Sequence, residues 1–136
     1  MFSPEEIGYL KTQRLARIAT VSKHGQPDVA PVGFDFDGKY FYVGSRYPGE
    51  TLKYKNVAGG NTLVALVVDD LESITPWKAR GLKIHGTADL VEHVGYVGSG
   101  TYLRITPKTL WSWGIERPVF DGKEISKGAM LKKVAR

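Results

Sequence analysis

The dipeptide Asp37-Gly38 constrains this chain more than any other pair of residues. It separates two runs of extended-type sequence within Asp28 to Asn56, and its glycine accepts positive φ without steric cost. The runs are therefore predicted to fold back as an antiparallel hairpin. The second run ends in a turn crowded with hydroxyl and cationic groups. Ser45, Arg46, Thr51, Lys53 and Lys55 fall within eleven positions, and Pro48-Gly49 marks a possible helix start. A helix start offers unpaired N–H groups and partial positive charge, and nearby Lys and Arg add full charges, so the stretch is a candidate phosphate cradle. A solvated basic loop beside a hairpin would carry the same residues.

Upstream, Ser3, Pro4 and Glu6 form a helix-start signature, with Phe2 and Ile7 as a staple, and predict a short helix to about Thr12. The segment Arg14 to Ser22 alternates, placing Ala16, Ile18 and Thr20 on one face, and Lys23 to Pro27 supplies a turn into the hairpin. Three strands joined by tight turns describe a meander. Leu52 to Val57 reads as a short helix stopped by Gly59-Gly60. Thr62 to Val68 is apolar at consecutive positions, as expected of a strand covered on both faces. A long strand follows from Arg80 to about Glu92, in which Gly86 suggests a bulge or a close backbone approach. Gly95 to Gly100 reads as a flexible connection, Thr101 to Gly114 as one or two strands broken at Pro107, and residues 115–136 as a partly ordered tail. The expected fold is mainly β with small helices, a nearly closed antiparallel barrel of about six strands, because closure removes exposed edges.

At 136 residues the chain suits a single domain spanning 1–136 with one core. No apolar run is long enough to span a membrane and Met1 to Gly8 lacks a leader pattern, so a cytoplasmic protein without a membrane partner is expected. There is no cysteine, which removes disulfides and thiolate chemistry. The net charge of +5 points to an anionic partner: nucleic acid, a phosphorylated cofactor or a polycarboxylate.

Several motifs fail on inspection. Gly95 to Gly100 has the wrong order for a dinucleotide fingerprint, and neither a Walker-type lysine loop nor a serine elbow is present. His24, His85 and His93 are scattered, so no metal site is expected. Trp111 and Trp113 share a strand face, as core, as a dimer interface or as a wall for a planar ring.

The succession LARIATVSKHGQPDVAPVGFDFDGKYFYVGSR, TLKYKN, TLVALVVDD and RGLKIHGTADLVE resembles the split β-barrel flavoproteins related to pyridoxamine 5′-phosphate oxidase, over residues 5 to about 114. It is nearest to their branch of deazaflavin (coenzyme F420) dependent reductases. The resemblance implies a six-stranded Greek-key split barrel and a homodimer with two sites between subunits for FMN or coenzyme F420. By position, Ala30, Pro31, Val32 and Gly33 resemble the strand whose backbone faces the ring. Ser45 and Arg46 resemble its strand-end contacts, and Thr51 and Lys53 its phosphate clamp. Lys55 and Asn56 resemble a bracing step, and Trp77, Lys78 and Arg80 the partner side of the cleft. Ala58, Gly59 and Gly60 stand where relatives often carry arginines, and the C-terminus lacks a match to the pyridoxal-binding residues of the true oxidases.

The expected activity is hydride transfer between that cofactor and a small conjugated or cyclic organic substrate. Tyr47, Tyr54 and Lys78 are possible proton donors and nothing in the spacing selects one, so no catalytic residue is assigned. Two other readings remain: a non-catalytic flavin or haem carrier, and a basic barrel that binds single-stranded nucleic acid on Phe34, Phe36, Tyr40 and Tyr42.

Overall fold

A computed structural model of the chain describes residues 1–121, 124–125 and 130–135. Helix α1 (Pro4–Thr12) starts on the predicted box: Ser3 Oγ accepts the Glu6 N–H at 3.2 Å and Glu6 Oε1 accepts the Ser3 N–H at 2.9 Å. Two otherwise unpaired donors are thereby satisfied, and the helix lays Tyr9 and Leu10 on the core.

Strand β1 (Leu15–Val21) pairs antiparallel with β2 (Pro27–Gly33), and Ala16, Ile18 and Thr20 point inward as the alternation predicts. Beyond Phe34 the same strand continues as β3 (Asp35–Phe36), turns at Gly38 with φ 98°, and returns as β4 (Phe41–Val43). A single 3-10 turn (Pro48–Glu50) and α2 (Leu52–Ala58) then carry the chain across the barrel end to β5 (Leu63–Ser73). Strands β6 (Lys78–Gly95) and β7 (Gly98–Trp113) follow as hairpins. The sheet order is β2-β1-β5-β6-β7-β4-β3, and its two ends are separated in the chain by Phe34 alone. One bent strand thus closes the sheet on itself. Counting β2 and β3 together, β1, β4, β5, β6 and β7 complete a six-stranded antiparallel barrel on a Greek-key path.

The lumen holds Ile18, Phe41, Val43, Leu66, Val68, Leu82, Ile84, Leu103, Ile105 and Leu110, all fully buried. β5 departs from expectation. Val64, Leu66 and Val68 face this core, but Leu63 is 68% exposed and Ala65 and Val67 lie on the outer wall, because a barrel strand meets its own lumen on one face only.

Gly86 is both things its position suggests. The register between β6 and β7 shifts at His85/Gly86, so Pro107 pairs with Gly86 and β7 runs through it as one strand. The residue left over, Lys108, offers its carbonyl to the Ala135 N–H at 2.7 Å. A Cβ on Gly86 would lie 2.3 Å from the Thr106 carbonyl oxygen, which is backbone and cannot swing away. Gly86→Ala is therefore expected to cost about 1–3 kcal/mol of stability, read as a lower urea midpoint.

The last segment holds more structure than a tail. β10 (Met130–Val134) adds to β7, and a small hairpin joins β8 (Phe120–Asp121) to β9 (Glu124–Ile125). Lys133 Nζ reaches Glu6 Oε1 at 2.6 Å. Residues 122–123, 126–129 and 136 of the expected tail lie outside the described residues. Gly95 to Gly100 is a tight turn at Tyr96-Val97 between paired Gly95 and Gly98, with Gly98 at φ 88°. Among the described residues no helix is long and apolar enough to cross a membrane.

Candidate functional site

The start of α2 carries two polar groups without partners. Thr51 is the N-cap, yet its hydroxyl makes no capping bond, and Thr51 Oγ1 is buried with no hydrogen-bond partner among the described residues. Lys53, two positions on, is 8% exposed and forms no ion pair among the described residues. Burial lowers its pKa, and the negative charge of Asp28 only partly opposes this. Buried polar groups are normally paired, and Thr51 Oγ1 is an exception; standing beside a lysine with no ion pair among the described residues, it makes the start of α2 the candidate place for an anionic group. Their positions are fixed from behind. Asn56 Nδ2 donates to Thr20 Oγ1 on β1 at 2.8 Å, the bracing role expected of it, and the Tyr54 hydroxyl donates to the Thr101 carbonyl at 2.8 Å.

Ala30, Pro31, Val32 and Gly33 lie on β2, which pairs with β1 on one side only, so its other edge presents unpaired backbone groups. Val32 points into the core and Pro31 is exposed. Ser45 and Arg46 follow β4 after Gly44. Ser45 Oγ accepts the Tyr47 N–H at 3.1 Å, and Arg46 is exposed. Lys53 is close enough to Asp28 of β2 to feel its charge, while Ser45 and Arg46 lie past Gly44 at the end of β4; none of the four lines a described cleft of the single chain.

Trp77, Lys78 and Arg80 stand elsewhere. Asp28 is level with Thr20, hence with Val64 of β5, whereas Arg80 pairs with Asp70, six strand residues along or roughly 20 Å away. Trp77, 53% exposed, and Lys78 line a cleft of about 470 Å³ with residues 114–120. Arg80 is engaged: its Nε and Nη2 donate to the Asp70 carboxylate at 2.8 and 3.0 Å, and the Tyr9 hydroxyl donates to the same carboxylate at 2.8 Å. Arg80 holds Asp70 below the ordinary carboxylate range, while burial and then Asp70 push the Tyr9 phenol up. One chain does not bring these three residues to the α2 cradle.

Trp111 and Trp113 are on the outer wall, not in the core. Trp111 lies in a row with Pro31, Arg17, Val67, Lys83 and Lys132, and the ammoniums of Lys83 and Lys132 are 4.5 and 5.5 Å from its ring. His85 meets the Trp111 ring edge-on and His93 stacks on Tyr42 at 3.9 Å.

The residue missed from sequence is Tyr96. Its hydroxyl accepts the Gly44 N–H at 2.8 Å and donates to the Gly33 carbonyl at 2.8 Å, joining the strand of Ala30–Gly33 to the turn of Ser45 and Arg46. The only signal was an aromatic residue set among glycines in a turn.

A six-stranded barrel split at the β2 edge, beside a helix start bearing a buried, unpaired Thr51 hydroxyl, has the architecture of the split-barrel class of folds. The chain belongs to the pyridoxamine 5′-phosphate oxidase family, whose model matches residues 3–113. It is 36% identical over 127 residues to the 5a,11a-dehydrotetracycline/5a,11a-dehydrooxytetracycline reductase of Streptomyces rimosus, covering 89% of each chain. Among solved structures it is similar to the conserved hypothetical protein Rv2991 of Mycobacterium tuberculosis, with TM-score 0.69, 18% identity and 94% of each chain covered. It is also similar to an F420 reductase, with TM-score 0.56, 19% identity, and 72% of this chain and 89% of that one covered.

Proposed function

We propose that this protein is an oxidoreductase that transfers hydride between FMN or coenzyme F420 and a conjugated, ring-containing organic substrate. The observation that carries the reading is the pair of partnerless polar groups, Thr51 Oγ1 and the Lys53 ammonium, at the start of α2. A phosphoester fits them: it accepts from the hydroxyl and neutralises the ammonium, removing both desolvation penalties at once. α2 has seven residues, so its own dipole adds little to that grip.

A bound flavin or deazaflavin would supply the hydride centre. This chain's residues bind, orient and shield. Thr51 and Lys53 hold the phosphate, Arg46 adds positive charge from solvent, and the unpaired edge of Ala30–Gly33 sets the plane of the ring through backbone groups. Trp77 and Lys78 come from a second copy, whose outer wall covers Leu63, Ala65 and Val67. The name of the Streptomyces rimosus relative specifies a ring double bond as what is reduced, which supports an unsaturated cyclic substrate here.

Titration of the purified protein with each cofactor, followed by fluorescence quenching, tests this. Micromolar binding of one of them is expected, with a dimer in sedimentation. Binding of neither overturns the reading, and binding without turnover of any enone or quinone identifies a carrier instead.

The nucleic-acid reading loses its platforms. Phe34 and Phe36 pack against Phe41 in the core, Tyr42 is covered by His93, and Tyr40 has Arg104 and Lys39 at 5.0 and 5.1 Å from its ring.

A further inference from the structure

We infer that Tyr96 is a positioning residue of the cofactor site, its hydroxyl acting as a wedge that sets the width of the mouth between the β2 edge and the Ser45-Arg46 turn. The inference rests on the reading of Ala30–Gly33 and Ser45-Arg46 as cofactor contacts.

The register of the β3–β4 hairpin carries the argument. Asp35 pairs with Tyr42 and Phe36 with Phe41. Extended outward, that register sets Gly33 opposite Gly44, yet the two are not paired. The Tyr96 hydroxyl occupies the place of the missing rung, accepting the Gly44 N–H at 2.8 Å and donating to the Gly33 carbonyl at 2.8 Å, with the Gly44 carbonyl at 3.0 Å. The barrel therefore splits here by the width of one hydroxyl. Past the split, one lip carries Val32, Pro31 and Ala30, and the other carries Ser45 and Arg46.

The wedge is itself held. β6 and β7 extend so far that their turn reaches the split, and Asp35 Oδ2 accepts the Tyr96 N–H at 2.9 Å. Both facing residues are glycines because the site has no room for more. A Cβ on Gly33 would lie 2.8 Å from the Tyr96 ring, and one on Gly44 would lie 2.5 Å from the Tyr102 ring and 2.7 Å from Val97. Burial raises the Tyr96 phenol's pKa, so the hydroxyl keeps the proton it donates. Without the hydroxyl the lips either zip into a Gly33–Gly44 rung or splay, and either change misplaces the ring-facing edge relative to Arg46.

The test measures dissociation constants for FMN and for coenzyme F420, together with thermal midpoints, for the 136-residue chain and five variants. Tyr96→Phe keeps the ring and removes the wedge; it is expected to weaken the cofactor that wild type binds about tenfold or more, a loss of about 1.4 kcal/mol per factor of ten. Tyr102→Phe is the control. Its hydroxyl accepts the Val97 N–H and donates to the Gly98 carbonyl inside the same turn without touching either lip, so it is expected to leave affinity within about twofold. Gly33→Ala is expected to weaken binding by pushing the ring aside. In a Tyr96→Ala background the same change finds space and costs little further, a non-additivity that marks action through one contact. Equal binding by wild type and Tyr96→Phe, or equal losses in Tyr96→Phe and Tyr102→Phe, overturns the inference alone. A wild-type chain that binds neither cofactor overturns the functional reading and this inference with it.

Discussion

Lys133→Met is expected to destabilise the folded chain by about 3–5 kcal/mol at neutral pH, and to do so less at lower pH. Lys133 Nζ is the 2.6 Å partner of Glu6 Oε1, and Glu6 is fully buried at 0% exposure. Burial alone pushes the Glu6 carboxyl up, but hydrogen bonds led by that from Lys133 outweigh it and hold the group below its ordinary value of 4.5. Its folded pKa is thus depressed. In wild type the pair's contribution is present above about pH 4.5 and is lost as pH falls through the folded value. Removing Lys133 takes away both its hydrogen bond and its charge, so burial, the largest single influence on Glu6, is expected to prevail and raise the folded pKa above the ordinary value. The variant takes up a proton on folding, so its stability rises as pH falls from that raised value towards 4.5, and its deficit against wild type narrows. Urea unfolding at pH 7.5 and pH 5 measures the two gaps. A deficit under about 1 kcal/mol, or one that is the same at both pH values, sinks the account. Glu6→Gln in the Lys133→Met background should recover much of the loss, since an amide still accepts the Ser3 N–H and carries no charge.

That pair also shows where a sequence stops being legible. Ser3 and Glu6 announce a helix start because their chemistry closes within one turn, and Asp37-Gly38 and Gly59-Gly60 act over similarly short distances. Gly86 was readable because a lone glycine in a strand has few reasons to be there, and a carbonyl 2.3 Å from its missing Cβ is one of them. The contact between Glu6 and Lys133 spans 127 residues, and that between Tyr96 and Gly33 spans 63. Neither leaves a local trace, so β10 read as tail and the wedge as a flexible turn. The outer face of β5 misled for a different reason: a run of apolar residues suggests that both faces are covered, whereas within this chain only the face of Val64, Leu66 and Val68 is buried. At the site, Thr51 and Lys53 were legible as neighbours, and what only three dimensions reveal is that neither has a partner. Arg80 could have been read better, because Asp70 lies near the end of one hairpin strand and Arg80 near the start of the next, which puts opposite charges in register.

Lys53→Met is expected to raise stability by about 1–2 kcal/mol while weakening cofactor binding about a hundredfold or more, and the opposite signs are the point of the experiment. A solvated basic loop would behave otherwise: removing an exposed lysine changes stability by a few tenths of a kcal/mol, and affinity by little. Lys53 is instead a largely buried residue without an ion-pair partner among the described residues, and burial holds its pKa below 10.5. A lysine whose folded pKa is depressed binds fewer protons folded than unfolded, so wild type should gain stability as pH rises from the depressed value to about 10.5. Lys53→Met has no such group and should lack that gain. Thr51→Val, which deletes the partnerless hydroxyl at nearly constant volume, should likewise leave stability unchanged or higher and weaken binding. Inorganic phosphate then separates the two halves of the prediction without any cofactor. An anion bound only by the folded state stabilises it in proportion to the logarithm of its concentration, so phosphate should raise the thermal midpoint of wild type and leave that of Lys53→Met unmoved. If phosphate shifts both proteins alike, the start of α2 is not where the anion binds, and the ring-facing role of the neighbouring β2 edge loses its anchor.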